Sequence, residues 1–199
     1  ILNGTDVNSS DEFLKTALIV AATRGHVDIA NLLLENDADI NAADNFRRTA
    51  LHCAAATGHV DIVNMLTQRG ADVHAVDSFK ITALYFAVER GHHDIAKVLI
   101  QNGADVNAVG GRDNWTAIHF AASKGHANIA KVLIQNGADV NAVDIDKWTA
   151  LSVAAVRGHV APHLSMRTLK FWNCWWRMVL RNIDAHRSGV SMRIFSFIW

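Results

Sequence analysis

The sequence predicts an all-α solenoid of stacked helix-turn-helix units with extended loops, and three observations carry that prediction. The first is a recurring phrase: Thr16-Ala17-Leu18 returns at Thr49-Ala50-Leu51, Thr82-Ala83-Leu84, Thr116-Ala117-Ile118 and Thr149-Ala150-Leu151. The second is its companion: Gly25-His26 returns at Gly58-His59, Gly91-His92, Gly125-His126 and Gly158-His159. The third is the step, 33 residues except for 34 where Gly110-Gly111 adds one. A fixed period of this length marks a stacked array rather than a single closed core.

Within a unit, each element follows from local chemistry. Thr82 stands where a helix begins, its hydroxyl able to accept from a free backbone N–H. Ala83, Leu84, Phe86, Ala87 and Val88 follow, and the small residues let neighbouring units approach closely. Gly91 ends this first helix, since glycine accepts the left-handed conformation of a C-terminal cap. The second helix, Asp94 to Asn102, places Ile95, Val98 and Leu99 on one face at amphipathic spacing. Gly103 stops it, and Ala104-Asp105-Val106-Asn107 leads into an extended loop. Two helices of this size cannot bury their apolar faces alone, so stacked neighbours must complete the core.

Residues 1–10 align with the end of a preceding unit, Ile1-Leu2-Asn3-Gly4 matching Ile100-Gln101-Asn102-Gly103. The array then runs over 11–160, in units of about 11–43, 44–76, 77–109, 110–143 and an incomplete 144–160. The expectation is a fragment of a longer array. Residues 161–199 break the period and form a Trp- and Arg-rich tail, with six basic residues and one acid. The array holds 13 Lys+Arg against 18 Asp+Glu, so a neutral total of 19 and 19 conceals an acidic array and a basic tail.

The genetic code supplies a reading of that tail. Joining the last base of each codon to the first two of the next forces Leu from Phe171-Trp172, Glu from Trp172-Asn173 and Val from Trp175-Trp176. The shifted frame can read Leu-Glu-Leu-Leu-Val-Glu-Asn-Gly, the style of a second helix here. The tail is therefore expected to be out-of-frame translation of a further repeat, although a one-base slip leaves the spacing from Gly158 about eight residues too long. A genuine, poorly packed tail ranks second. Membrane contact ranks third: Phe171 to Leu180, flanked by Arg167, Lys170, Arg177 and Arg181, suits an interface but is far shorter than a span of about 20 apolar residues.

The repeated phrases resemble the ankyrin repeat family, whose units run roughly Thr-Pro-Leu-His, two alanines, Gly-His, a Leu-rich helix and Gly-Ala-Asp-Val-Asn. The resemblance covers about residues 1–160, with five matches in register. Departures are visible. The family's Pro is Ala at 17, 50, 83, 117 and 150, and its first His survives only at His52 and His119, with Ile19, Tyr85 and Ser152 elsewhere. Asp37 stands where Gly70, Gly103 and Gly137 sit. The loop glycine two residues before each Thr is Arg47, Lys80, Asn114 and Lys147. Such an array should be less stable than a consensus one, with its first and fifth units fraying first.

The residues exclude much chemistry. The Gly-His histidines lie one repeat apart, roughly 10 Å, too far to share a metal ion; each is expected to bond loop backbone instead. Cys53 and Cys174 form no CxxC, and two reduced thiols suit an intracellular, cytoplasmic protein. No phosphate loop, HExxH, GxSxG or kinase-like set appears. Neither an enzyme nor a cofactor is implied.

What remains is surface. The resemblance implies a concave groove, lined by loop tips and first-helix ends, that grips a partner protein. By position these are Phe46, Arg47, Phe79, Lys80, Trp115, Lys147 and Trp148 at the tips, and Arg24, Glu89, Arg90, Lys124 and Arg157 at the helix ends. Aromatic residues with Arg are the composition of binding hot spots, and a basic stripe on an acidic array favours an acidic partner segment. The bland alternatives stand beside this: a basic residue before a helix-ending Gly complements the dipole, and the two Trp can simply pack on the next loop. Nucleic acid is disfavoured by the net acidity; uncapped apolar ends would favour self-association. The alternative functional reading is a regulatory ankyrin portion of a larger toxin, channel or enzyme. The resemblance also implies asparaginyl hydroxylation candidates at Asn41, Asn107 and Asn141, against the favoured reading that these side chains bridge loop backbone.

Overall fold

The computed structural model describes residues 6–159. The readings that fall on 1–5 and 160–199, including the out-of-frame tail, Cys174 and the interfacial segment, lie outside the described residues. Helices come in pairs: α1 (Ala17–Arg24) with α2 (Val27–Glu35), α3 (Ala50–Thr57) with α4 (Val60–Gln68), and α5 (Ala83–Arg90) with α6 (His93–Gln101). They continue with α7 (Ala117–Lys124), α8 (Ala127–Gln135) and α9 (Ala150–Val156). First helices pack on first helices, α1 on α3, α3 on α5, α5 on α7 and α7 on α9, while α2, α4, α6 and α8 form a second row. Among the described residues no helix is long and apolar enough to cross a membrane.

Helices of seven to nine residues are far below the length that holds in water alone, about 12–15 residues. Stacking supplies the difference, and the ends of the row show it. Ile62, Ile95 and Ile129 are fully buried at 0–2% exposure, whereas Ile29, the same position on α2, is 50% exposed. No second helix precedes α2 among the described residues. Likewise Leu18, Leu51, Leu84 and Ile118 are buried, while Leu151 on α9, with no described helix following, is 56% exposed. Each unit therefore buries its neighbour's face more than its own. By area bookkeeping, full burial of one such side chain is worth about 1.5–3 kcal/mol.

The helix starts differ more than their shared Thr suggests. Thr49 and Thr116 form reciprocal caps with His52 and His119: the backbone N–H of Thr49 donates to His52 Nδ1 at 3.2 Å, and that of Thr116 to His119 Nδ1 at 3.3 Å. Thr16 and Thr149 accept from Ile19 and Ser152 at 3.4 Å. Thr82, expected to cap in the same way, makes no side-chain cap bond. Tyr85 stands in place of the His, and its ring reaches past Thr82 to the next loop. The second helix of that unit begins at His93 rather than Asp94 and ends at Gln101. Asp28, Asp61 and Asp94 sit in first turns of second helices, where a carboxylate complements the dipole.

The Gly-His pairs have a second function that local reasoning did not supply. Gly25 takes φ +78 as a left-handed cap, and a Cβ there would also lie 2.6 Å from the ring of His59 in the next unit. Gly58, Gly91 and Gly125 meet His92, His126 and His159 in the same way. His59 Nε2 reaches the Thr23 carbonyl at 3.2 Å, and His159 Nε2 the Ser123 carbonyl at 3.0 Å. The pair is thus an interlock: one unit's missing side chain is the seat for the next unit's imidazole.

Candidate functional site

Loop tips join one helix pair to the next, and a carboxylate organises four of the five. Asp44 Oδ1 accepts from the backbone N–H groups of Phe46 and Arg48, both at 2.9 Å. Asp11 does the same for Phe13 and Lys15, Asp77 for Phe79 and Ile81, and Asp144 for Asp146 and Trp148, at 2.8–2.9 Å. Asp44 is buried and also takes a two-pronged contact from Arg48, at 2.9 and 2.7 Å through Oδ2. Burial alone would raise its pKa, but the hydrogen bonds from Arg48 and Phe46 hold it below the usual carboxylate value. These acids were not singled out from the sequence, although their 33-residue recurrence and the constant four-residue reach were there to be read.

The residue three beyond each Asp is left-handed. Leu14, Arg47, Lys80 and Lys147 have φ of 58, 60, 61 and 65, and Asn114 takes 54 in the longer fourth tip. Four of these are the positions where glycine was noted as missing; Leu14 is the fifth. Asp37, at φ 63, completes the strained set.

Successive tips are tied edge to edge. The carbonyl of Phe13 accepts from Asn45 N–H at 3.1 Å, that of Phe46 from Ser78 at 2.9 Å, and that of Phe79 from Gly111 at 2.9 Å. The Asp113 carbonyl accepts from Ile145 at 3.1 Å. Beneath them, His52 Nε2 reaches the Ile81 carbonyl and His119 Nε2 the Trp148 carbonyl, each at 3.1 Å. Because Nδ1 of His52 accepts from Thr49 N–H, its proton must lie on Nε2. Burial accordingly pushes the His52 pKa down.

The fourth tip is built differently. Gly110 occupies the Asp position, and a Cβ there would collide with the Lys80 carbonyl oxygen. Without a carboxylate, the loop is held by a reciprocal backbone pair between Gly110 and Trp115 and by the Tyr85 hydroxyl, which donates toward the carbonyls of Gly110, at 3.0 Å, and Trp115. Tyr85 thereby reaches the same carbonyl, one residue before the Thr, that His52 and His119 reach in their own neighbours. The Tyr-for-His and Gly-for-Asp departures are therefore one compensated change. Burial raises the Tyr85 phenol well above its ordinary value, which keeps it a donor.

The residues expected to meet a partner divide into two groups. Arg24, Arg90, Lys124 and Arg157 are exposed on the last turn or C-cap of the first helices. Half-buried Glu89 approaches Lys124 of the next unit at 4.0 Å. At the tips Phe46, Arg47, Phe79, Lys80 and Lys147 are exposed. Trp115 and Trp148 are half-buried. The Trp115 indole N–H donates to Asp144 at 3.1 Å, and its ring lies against Phe120 and His119. Trp115 thus packs on the next loop. With Trp148 it lines an open depression beside Asp113, Asp146 and Arg157. Phe13, overlooked in the sequence, stands in the same tip register as Phe46 and Phe79.

Asn41 and Asn107 bridge loops: Asn41 Oδ1 accepts from Asp72 N–H at 2.9 Å, and Asn107 Oδ1 from Asp139 N–H at 2.8 Å. Asn107 also donates to the Gly137 carbonyl. Asn8, not noted before, makes the same pair of bonds to Asp39 and Asp37. The Asn141 backbone N–H donates to Asp139 Oδ1, as that of Asn41 donates to Asp39 Oδ1, each at 2.9 Å. Burial pushes the half-buried Cys53 thiol up, away from nucleophilic chemistry. Among the described residues no three His, Cys, Asp or Glu side chains gather as a metal site would need.

This geometry belongs with a known family. A model described as ankyrin repeats in three copies matches residues 1–77 and again 69–144, and one described as ankyrin repeats in many copies matches 128–162. The chain belongs to the ankyrin repeat family. Ankyrin repeats are generally protein-interaction modules and are typically non-catalytic. No curated protein matches the chain.

Proposed function

We propose that this array is a recognition or scaffold module that binds a protein partner through its loop tips and the groove edged by the first-helix ends, and that it performs no reaction itself. One observation carries the reading. The first three tips hold Phe13, Phe46 and Phe79, with Arg47 and Lys80, in the open while the backbone N–H and carbonyl of each Phe are already satisfied by the tip Asp and the next tip. Such a surface spends nothing on ordering itself when a partner arrives, the condition under which contacts translate into affinity. Arg24, Arg90, Lys124 and Arg157 add positive charge along one side of a net-acidic array, which favours a partner segment carrying carboxylates.

Charge reversal tests this face against the opposite one. Arg90→Glu with Lys124→Glu should abolish capture of a specific protein from the native cell extract. Lys97→Glu with Lys131→Glu, on exposed positions of α6 and α8, should leave that capture intact. Equal loss from both pairs, or loss from the second alone, contradicts the reading.

A further inference from the structure

The first three tips differ from the last two in a way that specifies a ligand. Phe13, Phe46 and Phe79 occupy one register position, and they are 49%, 49% and 51% exposed. Single exposed apolar residues need no explanation, but three on adjacent, hydrogen-bonded tips form a row. In the fourth and fifth tips the same position, immediately before the left-handed residue, holds Asp113 and Asp146. The row is thus phenyl for three rungs and carboxylate for two.

Cations stand beside the phenyl rungs. The Lys15 ammonium lies 5.7 Å from the Phe13 ring centre and the Arg48 guanidinium 5.1 Å from that of Phe46. Arg48 is committed to Asp44, but exposed Arg47 and Lys80 have no ion pair among the described residues. Both are held at φ near +60, where glycine would relieve the strain. Strain at a surface position, with no ion pair to offset it, directs attention to what the side chain meets outside the molecule.

The backbone narrows the mode of recognition. The N–H of each of these Phe residues is taken by the tip Asp, and each carbonyl by the next tip. No main-chain group at the phenyl positions is left to pair with an added strand, so a ligand must be read by side chains. Neighbouring tips follow the spacing of packed helices, about 8–10 Å. Three residues of chain in the polyproline II conformation rise about 9 Å and bring the side chain back to the same face.

Resting on the reading above, we infer that the tips Phe13–Lys15, Phe46–Arg48 and Phe79–Ile81 bind a peptide segment of a partner protein in the polyproline II conformation, with an apolar side chain at every third residue and carboxylates between. The apolar groups lie against the phenyl rungs and the carboxylates against Lys15, Arg47 and Lys80. The acidic stretch ends where the tips become Asp113 and Asp146.

A displayed library of random twelve-residue peptides, panned on the full chain, tests this directly. Enriched peptides should show apolar residues three apart with Asp or Glu between them. Phe46→Ala and Phe79→Ala should each weaken a selected peptide at least about tenfold. Arg47→Gly with Lys80→Gly should weaken it similarly while raising the melting temperature, an opposition that a structural role for those side chains would not produce. Basic or patternless peptides, no enrichment, or selected peptides indifferent to the tip substitutions would overturn the inference. If selected peptides instead respond to Arg90→Glu with Lys124→Glu alone, the ladder fails while the wider partner-binding reading survives; if they respond to neither set, both fail.

Discussion

At the scale of single residues, the tips are where this chain departs most from relaxed backbone. Leu14, Arg47, Lys80, Asn114 and Lys147 all carry a Cβ in the left-handed region. The cost there is roughly 1–2 kcal/mol for a non-glycine residue. Lys147→Gly should therefore stabilise the fold by about 1 kcal/mol, read as a higher urea midpoint at unchanged slope. An unchanged or lower midpoint would mean that the Lys147 side chain makes up for its backbone. Four of these positions were legible in the sequence as missing glycines, because a phrase repeated five times exposes each deviation. Tyr85 was legible only as a departure: its partners, the carbonyls of Gly110 and Trp115, come from a loop 25 and 30 residues away. Tyr85→Phe should cost about 0.5–1.5 kcal/mol, the worth of one hydrogen bond, because the Gly110 and Trp115 carbonyls keep each other's backbone N–H as donors. Amide exchange over residues 110–115 should accelerate with it.

His52 also sets a pH dependence. Its pKa is lowered in the folded state, so the neutral form is favoured there and the unfolded chain binds the proton more readily. The stability it contributes is complete above the ordinary histidine value of about 6.5 and is lost as pH falls from there toward the folded pKa. Asp44, also depressed, adds its own loss lower down, as pH falls below its ordinary value toward the folded one. Urea midpoints should consequently drop between pH 7 and 5, and drop less steeply in His52→Gln.

At the scale of elements, each helix is a weak object joined to its neighbours by repeated devices: the Gly-His interlock, the Asp-organised tip and the Asn bridge. The bridge can be tested by both removal and restoration. Asn107→Ala should destabilise the array by about 1–2 kcal/mol, since the Asp139 N–H and Gly137 carbonyl lose their partner. The second unit has His74 at the bridging position, whose side chain makes no such bond to the next loop, and His74→Asn should gain about 0.5–1.5 kcal/mol. Chemical denaturation of both variants checks the pair, and a neutral His74→Asn would show that spacing between those units differs from the others. Helix bounds were readable to within a residue for the third unit because its caps and amphipathic period agree. The interlock was not read, since each Gly meets a His of the next unit and its meaning appears only across the stack; the tip carboxylates, whose partners lie two and four residues on, were legible in the recurrence but were passed over.

At the scale of the whole molecule, nearest-neighbour stacking makes stability additive along the array and recognition a property of its edge. The buried face was legible from periodicity alone, and Leu18, Leu51, Leu84 and Ile118 stand where the repeat demands. The binding face was legible in part: Phe46, Arg47, Phe79 and Lys80 are open as expected, while Trp115 is engaged with Asp144, because an indole beside a carboxylate one repeat away finds its partner within the protein. Hydrogen exchange with and without a selected acidic-apolar peptide shows which edge of the array the peptide occupies. Slowed exchange at residues 11–15, 44–48 and 77–81 and at the first-helix ends beside them is the predicted result. Protection confined to α4, α6 and α8, or none at a saturating peptide concentration, would contradict it.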